Sequence, residues 1–480
     1  MFELVFSLQL LAVVMVAIVF KLWKGELGLY SCFALAFISP VPVMQLTSGV
    51  AGLIYCADVI GFLCAVQLFK SRWSHGGSPK DVVVIRLLIL ALCLIFPLVS
   101  VFLALLSGSV GDIRAILLGL YRGFLYLSVF WYCSRCTRWK WEQVISVLKA
   151  QILLMSIYCC FGIGQYFYGY NIDYWNDVRS LDGGLSEDGY GGGFMGLYRG
   201  AVGAWVAVLL SLAATAFLAS NRTKVMDTLL FVIVVVACLA GSVIVGSRQG
   251  LFIGVIGLAL GVVVVASLSR VNRIRERMTL NFSLVVAVLL GVGFFASVFL
   301  ENAEILDWLV NRFGVMFDGG EVVKEVANRD PRFELIIDKL FSYPFAYIFG
   351  ISDLVIVSDS TGAIFELIYV DSEFLWVVQK IGVVGLAFYL IFLLRSTSLF
   401  LRGGSNKGVD EVEKNRAAML GVPVLGVCMM LVHGHYSFLH VQSSQAPVAY
   451  TAWLILGVAT SFLRRRCPSL NNTRGCVSEK

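Results

Sequence analysis

Long hydrophobic segments follow one another along almost the whole chain. They contain about 18–24 apolar residues each, enough to cross roughly 30 Å of hydrocarbon at 1.5 Å per residue. The predicted spans lie near residues 2–20, 28–46, 50–69, 84–107, 115–133, 143–166, 199–219, 225–246, 249–268, 280–300, 372–394, 417–437 and 447–463. Pro40 and Pro42 weaken the second and third of them. The pattern predicts an all-α polytopic membrane protein with about 12–13 transmembrane helices.

Basic residues between the spans predict the orientation of the chain. They occupy alternate loops: Lys21, Lys24, Lys70, Arg72, Lys80, Arg135, Arg138, Lys140, Arg222, Lys224, Arg270, Arg273, Arg275, Arg277, Arg402, Lys407, Lys414 and Arg416. Because cytoplasmic loops collect Lys and Arg, we assign this side to the cytoplasm, together with the basic tail 464–480. The chain then divides into spans one to ten within residues 1–300, an outer loop at 301–371 and the last three spans within 372–463.

Composition narrows the class of protein further. Hydrophobic residues make up 59% of the chain and charged residues 14%, which is far from the charge content of a soluble protein. A net charge of +6 therefore gives no reason to expect nucleic acid as a partner. None of the 12 cysteines falls in the outer loops 167–198 and 301–370, so no disulfide framework is predicted. Cys133 and Cys136 form a single CxxC motif. We interpret them as small apolar side chains at a helix end in preference to a metal or redox site.

Two outer loops are long enough to carry polar chemistry. Residues 167–198 form an acidic, glycine-rich loop, whereas 301–371 predicts amphipathic helices. In the larger loop, Asp330 suits the N-cap of a helix and Pro331 its first position. The apolar stripe of that helix lies within Phe333–Leu340 and would dock on the membrane body.

Four arginines are predicted on the outer face. Arg199 opens the seventh span, Arg248 lies in the tight turn before the ninth, and Arg329 and Arg332 flank the helix start in the large loop. An arginine at membrane depth costs at least about 2.5–3.5 kcal/mol unless it is paired or wet. One interpretation is that these are separate snorkelling arginines at helix ends. The other is that they converge, because guanidinium groups bind the oxygens of a lipid diphosphate in pairs.

Histidines and carboxylates near the same face are the candidate proton acceptors. Three of the four histidines, His433, His435 and His440, cluster beside Tyr436 at the outer end of the twelfth span. They could move a proton or simply hydrogen-bond, while a metal site is disfavoured because no carboxylates are nearby.

Acidic residues begin the eleventh span. Asp371 and Glu373 could accept a proton from a sugar hydroxyl, or could merely favour a helix N-terminus. Lys380, about two turns further on, is expected to face a wet cavity or a carboxylate partner.

Several short motifs together resemble a known family. Gly246-Ser-Arg248-Gln-Gly250 resembles the turn found in bacterial O-antigen polymerases (Wzy) and O-antigen ligases (WaaL). Arg332 followed by Phe333–Leu340, Tyr343-Pro344-Phe345 and Phe349-Gly350 resembles an element of their large periplasmic loop. Asp371-Ser-Glu373-Phe-Leu375 and Ile381-Gly-Val-Val-Gly385 resemble the span that follows it. Ligases typically have histidine where this chain has Asp371, which favours a polymerase. The resemblance covers roughly residues 195–460.

The resemblance implies a GT-C-like fold in the bacterial inner membrane, with an active site facing the periplasm and no metal or other cofactor. It implies a glycosyltransferase that joins undecaprenyl-diphosphate-linked repeat units. In our hypothesis, the diphosphate is bound by Arg199, Arg248, Arg329 and Arg332, and the base is Asp371 or, as a second candidate, His433 or His435. Glu373, Lys380, His440 and Tyr436 would line the acceptor cavity. The expected partners are the lipid-linked donor and acceptor, membrane lipids and a chain-length regulator.

Three other functions remain open from the sequence. An O-antigen ligase, transferring glycan to lipid A or protein, is the nearest alternative. A transporter or flippase of lipid-linked oligosaccharide comes next, although transporters usually show repeats and charges near mid-membrane. A structural or sensory membrane protein is the last.

Overall fold

A computed structural model describes most of the hydrophobic part of the chain. The described residues are 42–45, 53–70, 80–106, 113–135, 140–168, 199–218, 225–244, 248–268, 345–350, 373–402, 415–416, 418–422, 424–425 and 446–464. The elements in order are β1 (Pro42–Gln45), β2 (Leu53–Tyr55), α1 (Cys56–Lys70), α2 (Lys80–Leu90), a π-helix (Ala91–Ile95), α3 (Phe96–Leu106), α4 (Ile113–Arg135), α5 (Trp141–Tyr168), α6 (Arg199–Leu218), α7 (Val225–Ile244), α8 (Arg248–Leu268), α9 (Ala346–Phe349), α10 (Glu373–Arg402) and α11 (Ala446–Arg464).

The helices have the length and composition of membrane spans. Within the described ranges, four segments are long and apolar enough to cross a membrane: Val82–Leu103, Trp141–Gly164, Met226–Val243 and Ile381–Ser398. Shorter apolar helices cover Ala57–Phe69, Val208–Leu218, Leu251–Val265 and Ala449–Ser461. The chain is thus a largely helical membrane protein, as the hydrophobic pattern predicted. The predicted spans 2–20 and 280–300 lie outside the described residues, and 28–46 and 417–437 lie outside them in part.

A short hairpin of strands corrects the prediction for the second and third spans. β1 pairs antiparallel with β2, with Pro42 opposite Tyr55 and Gln45 opposite Leu53, and the register shifts between Pro42 and Met44. Proline has no amide hydrogen and clashes with the preceding turn of a helix, but it fits the first position of a strand. Helix α1 consequently begins at Cys56 and not at residue 50.

Helix α4 is a central element of the packed core. It packs against α1 on one side and α11 on another. Gly61 of α1 lies level with Leu125, while Gly457 of α11 lies against Phe130 and Cys133. Tyr126 and Tyr450 meet edge to face with their ring centroids 4.7 Å apart. In each pair, residues later in one helix contact residues later in the other, so α1, α4 and α11 run in the same direction. The side chain of Cys133 is buried among the apolar residues of this core.

The π-helix between α2 and α3 has an identifiable cause. Pro97 cannot donate to the carbonyl of Cys93, four residues earlier, because proline has no N–H. Gly123 of α4 occupies the space next to that carbonyl, and a Cβ on Gly123 would lie 2.6 Å from the Cys93 oxygen. A residue with a side chain at position 123 would therefore push α4 away from the α2–α3 span.

Candidate functional site

Helices α6 and α8 are in close contact through small residues. A Cβ placed on Gly257 would lie 2.8 Å from the Cβ of Ser211, and one on Gly261 would lie 3.0 Å from the Cβ of Ala214. Glycines four residues apart let two helix backbones approach within a membrane, where van der Waals packing drives helix association. The order of these contacts shows that α6 and α8 run parallel. Their N-terminal ends are therefore at the same end of the bundle.

This packing places two predicted site residues near each other. Arg199 is the first residue of α6 and Arg248 is the first residue of α8. Since Gly257 is level with Ser211, Arg248 is level with Val202 on the neighbouring helix. The offset of three residues between Val202 and Arg199 amounts to about 4–5 Å along the helix axis. The backbones of the two arginines thus begin adjacent helices, within about one turn of each other.

Helix α10 holds two more predicted residues. Glu373 is its first residue, and Lys380 lies seven residues further along. Residues at this separation fall on the same side of a helix, so both belong to one face of α10. The other predicted site residues lie outside the described part of the chain: Asp371, His433, His435, Tyr436, His440, Arg329 and Arg332.

Two of the family-like motifs meet in space. A segment within the predicted large loop, Phe345–Gly350, contains the short helix α9, which packs against α10 and α3. The carbonyl oxygen of Ile348 lies against Gly382, so that a Cβ on that glycine would overlap with it. The phenylalanine-glycine and glycine-rich motifs, more than 30 residues apart in sequence, therefore form one junction.

A buried ion pair was missed by the sequence reasoning. The guanidinium of Arg122 in α4 lies 3.6 Å from the carboxylate of Asp58 in α1, and both side chains are 0% exposed. The hydroxyl of Tyr450 in α11 donates to Asp58 at 2.8 Å. The amide of Tyr55 donates to the other Asp58 oxygen at 3.0 Å, which caps the start of α1. Arg122 also lies over the ring of Tyr55, 5.8 Å from its centroid.

These contacts form a network that joins three helices, defined here as Asp58, Arg122 and Tyr450. The low dielectric of the interior strengthens an ion pair but penalises a lone buried charge by several kcal/mol. A charged residue in a hydrophobic run signals such a site, and both Asp58 and Arg122 lie in predicted spans. The signal was present in the sequence, but 64 positions separate the partners and only packing joins them.

The network predicts the effect of a single hydroxyl. We expect Tyr450→Phe to lower the free energy of unfolding by about 1.5–3 kcal/mol, because a hydrogen bond to a charged group contributes that much. The phenyl ring can keep its contact with Tyr126. Unfolding in a fixed detergent measures the change. An unchanged stability in Tyr450→Phe would contradict the hydrogen bond.

Polar residues at the opposite end of the bundle are paired differently. The amine of Lys149 in α5 lies 2.7 Å from the carboxylate of Asp227 in the first turn of α7. Lys149 also lies over the ring of Phe217, near the C-terminal end of α6. Within the described ranges, no three His, Cys, Asp or Glu side chains are grouped so that they could hold a metal ion.

Two comparisons with known proteins identified no relative of this chain. A scan against models of protein families found no match to this chain, and a search of curated proteins found no similar sequence. The resemblance to O-antigen polymerases consequently rests on the motifs of the chain itself.

Proposed function

We propose that this chain is a surface-polysaccharide polymerase of the bacterial inner membrane. It joins undecaprenyl-diphosphate-linked oligosaccharide repeat units at the periplasmic face, on a GT-C-like helical scaffold with a large periplasmic loop. The membrane character of the chain and the order of its family-like motifs support this assignment. Asp371, in place of the ligase histidine, favours polymerisation over transfer to lipid A.

The observation that carries the proposal is the packing of α6 on α8. The close contacts of Gly257 and Gly261 put Arg199 and Arg248 at the same end of two adjacent parallel helices. Two guanidinium groups in this arrangement can bind both phosphates of a lipid diphosphate, with Arg329 and Arg332 completing the cationic surface. The positive ends of the two helix dipoles point the same way and add to the attraction for an anion.

The proposed reaction is a glycosyl transfer between two lipid-linked glycans. A base, Asp371 or else His433 or His435, removes the proton from a hydroxyl of the acceptor repeat unit. That oxygen forms a bond to the anomeric carbon of the donor sugar while the bond from this carbon to the diphosphate oxygen breaks. The arginines neutralise the charge that grows on the departing undecaprenyl diphosphate. Glu373, Lys380, His440 and Tyr436 are the residues proposed to hold the acceptor.

Arg248→Ala tests the proposal. We expect it to remove long chains and leave single repeat units on the lipid, because each lost charge-assisted contact lowers the rate by roughly tenfold or more. The reaction is followed by gel electrophoresis after reconstitution with purified lipid-linked repeat unit. Arg222→Ala, in a predicted cytoplasmic loop, is the matched control and should polymerise like the unmodified protein. Full-length polymer in the Arg248→Ala variant would show the diphosphate site to be wrong.

The same assay separates the two rival functions. A ligase would move glycan to an added acceptor such as lipid A without lengthening it. A transporter would carry lipid-linked glycan across a vesicle membrane without forming a glycosidic bond. The ion pair of Asp58 and Arg122 lies inside the bundle, as charges of transporters do, but its members are enclosed by protein on all sides. This enclosure favours a structural role for the pair.

A further inference from the structure

The contact between Ile348 and Gly382 has an unusual backbone geometry. Gly382 adopts φ 72° and ψ −178° inside α10, where it interrupts the helix. This region of backbone space is accessible almost exclusively to glycine. A Cβ at Gly382 would also overlap with the backbone of Ile348 and Phe349, so no side chain fits there. Both the conformation of position 382 and the space around it therefore require glycine.

The loop side of this contact is equally specialised. Phe345 has φ 64° and Gly350 has φ 79°, so a left-handed residue stands at each end of the segment. Between them, the amides of Ile348 and Phe349 both donate to the Phe345 carbonyl, at 3.1 and 3.0 Å. These bonds satisfy backbone groups that would be costly to leave unpaired in an apolar environment. The segment is thus folded to a shape that fits the interruption in α10.

The part of α10 that follows Gly382 packs against other helices. Phe388 meets Phe96 edge to face at 5.1 Å, and Phe392 stacks on Trp453 of α11 at 6.5 Å. The part of α10 beyond Gly382 is therefore tied to α3 and α11. The part before it, Glu373–Ile381, is short and meets the loop segment at the interruption.

We propose that Phe345–Gly350 and Gly382 form a seat that sets the direction of the half-helix Glu373–Ile381. Gly382 is then a positioning residue for Glu373 and Lys380, which lie on this half-helix. Gly382 is nine residues from Glu373, so a small change of angle at the seat displaces that end over a lever of about 13 Å. This role rests on the proposed function, in which Glu373 and Lys380 hold the acceptor glycan.

Gly382→Ala tests the seat by two separate measurements on the full-length protein. Hydrogen exchange at the amides of Ile348 and Phe349 should accelerate at least roughly tenfold, because the added strain opens the seat. In the polymerase assay, kcat should fall by about 100-fold, as expected when a reacting group is misplaced by about 1 Å. The KM for the lipid-linked donor should stay unchanged, since the donor diphosphate is assigned to α6 and α8. Because a loss of folded protein would also lower the apparent kcat at unchanged KM, kcat is calculated per folded protein, measured by size-exclusion chromatography in detergent.

Gly164→Ala is the matched control. Gly164 lies within the helix α5, and a Cβ there would have nothing within 4 Å. If Gly382→Ala does not insert into the membrane, Gly350→Ala is the second variant, because position 350 also has a positive φ. Amide exchange should then accelerate, and kcat should fall, by smaller factors.

Each result decides one part of the proposal. Exchange at Ile348 and Phe349 that matches the unmodified protein would overturn the seat. Faster exchange with unchanged kcat would overturn the positioning role. If the unmodified protein joins no repeat units, the proposed function fails, while the exchange measurement still decides whether the seat exists.

Discussion

Arg122→Met should destabilise the folded protein by about 3–5 kcal/mol, because it leaves the Asp58 carboxylate buried without its charged partner. The carboxylate would keep the Tyr450 hydroxyl and the Tyr55 amide as donors, but two hydrogen bonds do not neutralise its charge. Asp58→Leu should lower the free energy of unfolding by a similar amount, since it removes the carboxylate partner of the buried Arg122 guanidinium. Urea or thermal unfolding in a fixed detergent gives both values.

The double variant Asp58→Leu/Arg122→Met distinguishes a lost charge partner from lost packing. We expect it to be more stable than either single variant, because replacing both charges with apolar groups removes the desolvation penalty of each. Glu142→Gln is the control for an ordinary ion pair: Glu142 is 77% exposed and 4.0 Å from Arg416, so the loss should stay below about 1 kcal/mol. Additive losses in the double variant would mean that Asp58 and Arg122 do not interact.

Gly257→Leu should separate α6 from α8 and, if the proposed function holds, abolish binding of a lipid diphosphate. The added Cβ alone would lie 2.8 Å from the Ser211 Cβ, and the rest of the side chain needs further space that the contact does not have. Overpacking of this kind costs about 1–3 kcal/mol and moves the backbone. Because Arg199 and Arg248 begin these two helices, their spacing changes with the helix separation. Binding of a short-chain polyprenyl diphosphate to the purified protein measures the effect.

A compensating change at Ser211 shows whether helix separation is the cause. Gly257→Ala should weaken binding less than Gly257→Leu, and Gly257→Ala/Ser211→Gly should restore it, because the second change removes the Cβ that the first one meets. Gly164→Ala again provides a glycine substitution in open space. Equal binding by Gly257→Leu and the unmodified protein would exclude the close α6–α8 contact as the source of the site.

The relation between sequence and fold differs from element to element. The apolar runs near 84–107, 143–166 and 225–246 predicted helices that the structure contains, because an apolar segment of this length must satisfy its own backbone hydrogen bonds in lipid. The same reasoning was wrong for residues 42–45, where Pro42 begins a strand. There, proline outweighs the hydrophobic pattern because it removes a backbone donor.

The candidate site shows a similar division. The sequence singled out Arg199 and Arg248 individually, as charged residues next to apolar spans. Their proximity depends on the register of α6 on α8, which is set by contacts between small residues that no periodic pattern reveals. Conversely, Asp58 and Arg122 were visible as charges within spans, but their partnership depends on α1 and α4 lying side by side.

The sequence by itself determined that this is a helical membrane protein, since hydrophobicity and length are properties of each segment alone. It also determined where glycine, proline and charge interrupt the apolar runs. Only the tertiary structure decided that Gly382 receives Ile348, that Arg122 pairs with Asp58, and that α6 and α8 begin at the same end of the bundle. The physical reason is that such contacts join residues distant in sequence, and close packing selects which of many compatible residues meet.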